Sequence, residues 1–238
     1  MIGPQTLARP LATRIASLPA PAEPSDAPPV SAGVIAAAEA ALEAGKTHYT
    51  DRPGILPLRE RAVAWLGEQY GLELSPDAVT ITIGSTEGRF VCVKQLIASG
   101  RGLAAAQSRP AIASAAALVG VPIITEVTDP SAISAVYLAP DDPVESRDAL
   151  LAQAAAHNWW VIWDTSVAAP GSFHPAQDPA LAPQVVTLGS LSDALPGWRM
   201  GWMAGSKAAN KLRAYKQSMT ICSPSISQWA ALGLEGGA

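Results

Sequence analysis

The stretch from Thr187 to Trp202, TLGSLSDALPGWRMGW, gathers several side chains that could do chemistry. Ser190 and Ser192 carry hydroxyl groups, Asp193 carries a carboxylate, and Arg199 carries a guanidinium. Guanidinium and hydroxyl groups bind anions such as phosphate. A carboxylate whose pKa is raised by burial can transfer protons. The residue types therefore indicate an anion site, a proton-transfer site, or both.

The elements that would position these groups alternate between strands and helices. Apolar strands are predicted over 78–83, 102–106, 122–125, 135–138, 160–163 and 185–188, and helices over 31–45, 56–70, 89–99, 112–119 and 146–158. Apolar strands that alternate with helices predict an α/β fold, a three-layer α/β/α domain on a mostly parallel sheet. Sites on such sheets collect at the carboxyl ends of strands, where Gly84, Asp164 and Ser190 lie.

The N-terminal region has a different composition from the rest of the chain. Residues 1–33 contain seven prolines, which preclude a long helix and predict an extended arm. We therefore divide the chain into an arm with one helix, residues 1–47, and a domain, residues 48–238.

Bulk properties exclude several classes of function. The 238 residues are 49% hydrophobic and 15% charged, with a net charge of −4 and no basic run, which argues against binding of nucleic acid or an anionic membrane. Cys92 and Cys222 are expected to be free thiols, and the three histidines share no ligand spacing that would predict a metal site. Without a signal peptide or a membrane span in the sequence, a cytoplasmic protein is expected.

Four motifs resemble those of the class I/II, aspartate aminotransferase-like (fold type I) pyridoxal-phosphate enzymes, and they occur in that family's order. They are HYTDRPGILPLR at 48–59, TIGSTE at 82–87, WVIWD at 160–164, and SLSDALPGWRMGW at 190–202. The resemblance runs from about Pro28 to Leu232. It implies the fold of the family's large domain.

The resemblance also implies roles for individual residues. Ser85, Thr86, Ser190 and Arg199 would hold a phosphate group. Asp164 would pair with a protonated pyridine nitrogen, and Tyr49 would reach across a dimer interface to the partner's phosphate. The simpler alternatives are that Arg199 pairs with a surface carboxylate, Asp164 caps a helix, and Tyr49 belongs to the core.

The departures from the family's pattern are systematic. The position of the family's Schiff-base lysine is Asp193, and a carboxylate cannot supply the required amine. Asp142 replaces the asparagine that would bond the cofactor's phenolic oxygen, where two like charges would repel. Residues 107–112 lack the aromatic that stacks on the ring. Residues 232–238 fall where the helix to the small C-terminal domain would begin, so we expect that domain, with its substrate-binding arginine, to be absent.

Other groups do not obviously compensate for the missing lysine. Lys207, Lys211 and Lys216 have the spacing of a solvated basic helix face. Trp198 and Trp202 flank the motif and could line a ligand site. Apolar residues Ile226, Trp229 and Leu232 are expected to be left exposed without a C-terminal domain, and therefore to mark an interface.

These features leave three functions open. The first is an aminotransferase-like protein without Schiff-base chemistry, acting as a non-catalytic subunit or as a binder of a phosphorylated small molecule such as non-covalently held pyridoxal phosphate or pyridoxamine phosphate. The second is a repurposed enzyme in which Asp193 is a general acid/base. The third, a conventional transaminase, requires the lysine to lie elsewhere. In each case we expect a homodimer or a heterodimer with an aminotransferase homologue.

Overall fold

The computed structural model describes residues 29–191, 195 and 197–234. Within these residues, seven strands form one sheet in the order β1-β7-β6-β5-β4-β2-β3. The strands are β1 (Val79–Ile83), β2 (Gly102–Ala105), β3 (Ile123–Ile124), β4 (Ile133–Leu138), β5 (Trp160–Asp164), β6 (Val185–Ser190) and β7 (Met200–Ala204).

The sheet is mostly parallel, which confirms the predicted fold class. β6, β5, β4, β2 and β3 pair in parallel. β7 is antiparallel to both of its neighbours, β1 and β6. The strands carry continuous buried residues, as expected for a sheet covered on both faces.

The α-helices of the described residues cover both faces of this sheet. They are α1 (Ala32–Glu43), α2 (Leu56–Tyr70), α3 (Gly84–Leu96), α4 (Pro110–Val119), α5 (Val144–His157), α6 (Ala209–Thr220) and α7 (Ser225–Ala231). One buried cluster packs α2 and α7 against β1 and β7, and includes Ile81 and Trp202. A second packs α3, α4 and α6 against the other face, around Leu103 and Ile162.

Two details differ from the sequence prediction. α3 begins at Gly84 rather than at Arg89, so the Gly84-Ser-Thr motif is the first turn of the helix and not a turn that precedes it. The Glu87 side chain accepts a hydrogen bond from the backbone N–H of Ile83 at 2.7 Å, which satisfies a donor at the start of the helix. β7 was not predicted as a strand.

The expected exposed patch near residue 230 is not found in the described part of the chain. Ile226, Trp229 and Leu232 are only partly exposed. Helix α1 packs on α7 and brings Val34 into the same cluster as Trp229, which covers much of the apolar surface. The proposed boundary at residue 47 stays a prediction, and residues 1–28 lie outside the described range.

Candidate functional site

One edge of the sheet brings together several residues that the motifs single out. β1, β5 and β6 run in the same direction and end there at Ile83, Asp164 and Ser190, while the antiparallel β7 begins there at Met200. Arg199 directly precedes β7, and Ser190 lies opposite Gly201 in the ladder. Four strand ends thus lie at the carboxyl edge, where sites occur in other open α/β sheets.

Arg199 lies over the first turn of α3. Its Nη2 is 3.4 Å from Thr86 Oγ1. A Cβ added to Gly84 would come within 2.8 Å of the same nitrogen, so only a glycine lets the guanidinium approach this closely. Arg199 is solvent-exposed and has a φ of 57°, an unusual conformation for a residue with a side chain. The Arg199 guanidinium therefore lies beside the N–H groups of a helix N-terminus, a position that favours binding of an anion.

The two serines lie close to this point in the fold but differ in exposure. Ser85 is buried in the first turn of α3, with 8% of its surface exposed. Its backbone nitrogen packs against Gly201, where an added Cβ would come within 2.8 Å of it. Ser190 is half-buried at the end of β6. The backbone therefore holds both residues beside Arg199 through the β1–β7–β6 ladder.

Asp164 is completely buried and fully hydrogen-bonded. Its Oδ2 accepts from Arg89 Nε at 2.6 Å and from the Tyr137 hydroxyl at 2.7 Å. Its Oδ1 accepts from the backbone N–H and the hydroxyl of Ser166 at 3.0 and 2.6 Å. Burial raises the pKa of Tyr137, and the charge of Asp164 raises it further, so the phenol stays protonated and donates.

Sequence reasoning missed Arg89 and Tyr137. Arg89 is a single charge in the otherwise uncharged run Gly88–Val93, and such a residue on a buried helix needs an anionic partner. That signal was available, but its partner Asp164 is 75 residues away in the chain. Tyr137 lies within an apolar strand and gives no comparable signal.

Asp142 is buried and pairs with Arg109, which also pairs with Asp141. The expected repulsion from a bound phenolate stays a prediction. The Oδ1 of Asp142 accepts from Arg109 Nη2 and from Gln107 Nε2, both at 2.8 Å. Its Oδ2 accepts from the backbone N–H of Ala139 at 2.7 Å, which closes the turn after β4. The loop that lacks the stacking aromatic thus supplies an arginine and an amide to this carboxylate instead.

Tyr49 is exposed over 71% of its surface and is not a core residue. Its ring packs edge-on against His48, with ring centroids 5.2 Å apart. Together with Ile83 and Ser223 it lines a small cavity of about 350 Å³. The loop that carries Tyr49 thus lies beside the end of β1, and the ring is accessible from outside the chain.

Asp193, the proposed acid/base group, and the neighbouring Ser192 lie outside the described residues. The lysines that follow do not form a uniform solvated face. Lys207 and Lys211 are exposed, but Lys216 is fully buried. Its Nζ donates to Thr220 Oγ1 at 3.0 Å and lies 3.6 Å from Glu87 Oε2. The sequence prediction was wrong for Lys216 because that residue lies on the face of α6 that packs against α3.

Trp202 is a core residue and does not line a site. It is 2% exposed and packs edge-on against Trp65, with ring centroids 5.6 Å apart. A cavity of about 830 Å³ does exist, but at the opposite edge of the sheet, between Leu72, Val185 and Ala204. His174, a buried histidine that lines this cavity, already forms a hydrogen bond with Thr187 Oγ1 at 2.9 Å. This cavity is separate from the carboxyl-edge site.

Other kinds of site find no support in the described residues. They contain no cluster of His, Cys, Asp and Glu suited to a metal ion. No helix within the described ranges is long and apolar enough to span a membrane.

The described residues fit one end of pyridoxal phosphate better than the other. Arg199, Thr86 and the start of α3 offer donors suited to its phosphate group. Asp164, the carboxylate that would meet the pyridine nitrogen, is instead paired with Arg89. The site therefore matches the phosphate of this cofactor and disagrees with a protonated ring.

Comparison with known proteins agrees with this fold. No protein-family model matches the chain. It is 29% identical over 210 residues to a (5-formylfuran-3-yl)methyl phosphate transaminase of Methanocaldococcus jannaschii, a match that covers 80% of this chain and 57% of the relative. It is 26% identical over 228 residues to an aspartate/prephenate aminotransferase of Thermus thermophilus, covering 82% of this chain and 58% of the relative.

Solved structures give the same result. The aspartate aminotransferase of Rhizobium meliloti matches with a TM-score of 0.75 and 22% identity, covering 94% of this chain and 65% of that structure. The chain thus spans somewhat more than half the length of the curated relatives it matches. The neighbours in sequence and structure are consistently aminotransferases, and the chain has the fold of the aspartate aminotransferase-like, fold type I proteins.

Proposed function

We propose that this protein binds a phosphorylated small molecule non-covalently at the carboxyl edge of its sheet and is not a conventional transaminase. The observation that carries the proposal is the position of Arg199 over Gly84 and Thr86 at the start of α3. A guanidinium beside the N–H groups of a helix N-terminus is a general solution for binding a phosphate dianion.

The sequence motif supports the proposed absence of Schiff-base chemistry. Asp193 stands where the family has its lysine, and a carboxylate cannot form an imine. Lys216 is a poor substitute, since its amine is fully buried and lies beside Glu87. The pairing of Asp164 with Arg89 also argues against conventional transamination, because this carboxylate already has a cationic partner. The family's catalytic apparatus is altered at several positions at once.

We propose further that the protein acts as a dimer, with Tyr49 near the interface. The exposed ring of Tyr49 supports this, because a tyrosine with 71% of its surface exposed is free to meet a second chain. The partner is either a second copy or an aminotransferase homologue. In both cases the site would be completed by a residue from the other subunit.

Calorimetric titration with pyridoxamine phosphate and with pyridoxamine tests the proposed ligand class. We expect pyridoxamine phosphate to bind and pyridoxamine to bind far more weakly, since only the former carries the anion. Arg199→Gln should weaken binding of the phosphorylated compound by about 10- to 100-fold, the usual effect of losing a hydrogen bond to a charged group. Arg101→Ala removes an exposed arginine elsewhere and should change nothing. Equal binding of both compounds, or no effect of Arg199→Gln, would contradict the proposal.

A further inference from the structure

The carboxylate of Asp164 has no capacity left for a ligand. A carboxylate accepts about four hydrogen bonds through its two oxygens. All four positions are taken, by Arg89 Nε, the Tyr137 hydroxyl, and the N–H and hydroxyl of Ser166. A ligand that donates to Asp164 would have to displace one of these donors from a residue that is 0% exposed.

Arg89 carries the positive charge that balances Asp164. Burial alone would lower the pKa of Arg89, but the charge of Asp164 and the hydrogen bond to it outweigh burial and raise the pKa above its ordinary value. The guanidinium therefore stays protonated. Any cation brought toward Asp164 also approaches this second cation, and the two like charges repel.

One nitrogen of Arg89 is still available as a donor. Nε donates to Asp164 and Nη2 donates to Ser166 Oγ at 2.5 Å. Arg89 has only 6% of its surface exposed, and among the described residues the N–H groups of its Nη1 have no acceptor.

We infer that Arg89 is an additional binding residue of the carboxyl-edge site and that this site selects a ligand whose ring nitrogen is unprotonated. The inference rests on the proposed function, because it assumes a phosphorylated heteroaromatic ligand at the same edge. A neutral pyridine nitrogen has a lone pair that can accept from Arg89. A pyridinium has no lone pair and carries a charge of the same sign as the guanidinium.

This assignment has a chemical consequence. A protonated ring is the state that withdraws electrons most strongly, and a neutral ring withdraws them less. A site that keeps the ring neutral binds such a compound without activating it. A site in which Arg89 pairs with Asp164 is therefore better suited to binding the ligand than to amino-group chemistry.

Nitrogen NMR of pyridoxamine phosphate labelled with 15N in the ring tests the inference on the full chain. The chemical shift of the ring nitrogen distinguishes its protonated and neutral states, so the readout is independent of any activity. We expect the bound ring to titrate at least about one pH unit below the free compound, which corresponds to a tenfold preference for the neutral form. A bound ring that titrates at the same pH as the free compound, or at a higher pH, would overturn the inference.

Variants connect this readout to Arg89. Arg89→Met should free Asp164 and raise the pH at which the bound ring titrates above the wild-type value. Arg101→Ala, which removes a charge at an exposed position, should leave it unchanged. If Arg89→Met does not fold, the wild-type titration alone still decides the question. Absence of any bound signal from the wild-type protein would instead contradict the proposed function, and this inference with it.

Discussion

At the scale of single residues, the buried pair of Lys216 and Glu87 should contribute strongly to stability. Removing one member leaves the other charge buried without its partner, which costs about 3–5 kcal/mol in comparable pairs. We therefore expect Lys216→Ala to lower the free energy of unfolding in urea by about 3 kcal/mol or more. Lys211→Ala, an exposed site on the same helix, should change it by less than about 0.5 kcal/mol. If both variants lowered the free energy of unfolding by similar amounts, another group would have to stabilise the Glu87 carboxylate when Lys216 is removed, which would contradict the prediction.

His174 should make stability depend on pH. Its Nδ1 accepts from the backbone N–H of Ala176, and burial lowers the pKa of His174 to about 3. The ring is neutral in the folded protein, while in the unfolded chain it gains a proton below its ordinary pKa of about 6.5. Its stabilising contribution is therefore complete above that value and is lost as the pH falls toward 3. Between pH 7 and pH 5.5 the loss should be about 1 kcal/mol.

Urea unfolding of wild-type protein and His174→Asn at these two pH values measures this effect. Asparagine can still accept from Ala176 but has no group that titrates in this range. The variant should be less stable at pH 7 because the contact with Thr187 is lost, yet it should show a smaller decrease at pH 5.5. The same decrease in both proteins would contradict a neutral buried His174.

Asp193 can be tested although it lies outside the described residues. If its carboxylate faces the proposed phosphate site, Asp193→Lys exchanges repulsion for attraction and should tighten binding of pyridoxamine phosphate by about 1 kcal/mol or more. Glu126→Lys makes the same change of charge at an exposed position and should have little effect. Amino-group transfer should stay undetectable in both variants. Turnover by Asp193→Lys would show that the rest of the catalytic apparatus is intact.

At the scale of elements, Gly201 positions the start of α3 against β6 and β7. A Cβ at this residue would lie 2.8 Å from Gly189 O and from the backbone of Gly84 and Ser85. We expect Gly201→Ala to lower stability by about 1–3 kcal/mol, a typical cost of overpacking, and to weaken phosphate binding because Ser85 shifts. Gly171→Ala is the matched control, since its Cβ would meet no atom within 4 Å. Equal stability of the two variants in thermal melts would contradict this packing.

The elements also show what the sequence can predict. Apolar runs such as Val161–Trp163 were enough to predict the central strands, because a sheet covered on both faces needs continuous burial. The start of α3 was placed too late because Gly84–Glu87 carries no apolar pattern, and a side-chain contact to Ile83 supports it instead. Arg89 and Asp164 are 75 residues apart in the chain, so the pattern of residues within a single helix or strand does not predict their contact.

At the scale of the whole molecule, the exposed loop around Tyr49 should control assembly. Sedimentation at micromolar concentration is expected to give a dimer of this chain or, on co-purification, a complex with an aminotransferase homologue. Tyr49→Asp should weaken that complex, because a charge replaces an exposed aromatic at the interface. Leu118→Asp alters a residue that is 78% exposed on α4 and should not affect assembly. A monomer with no such partner would contradict the dimer.

The most direct test of the whole account is a titration of the purified protein with pyridoxal phosphate, followed by borohydride reduction and peptide mass analysis. We predict saturable binding that Arg199→Gln weakens, without a reduced adduct on any lysine at one equivalent of ligand. Recovery of a stoichiometric adduct on a single lysine, Lys216 included, would show that the chain retains the family's covalent chemistry and would contradict the account.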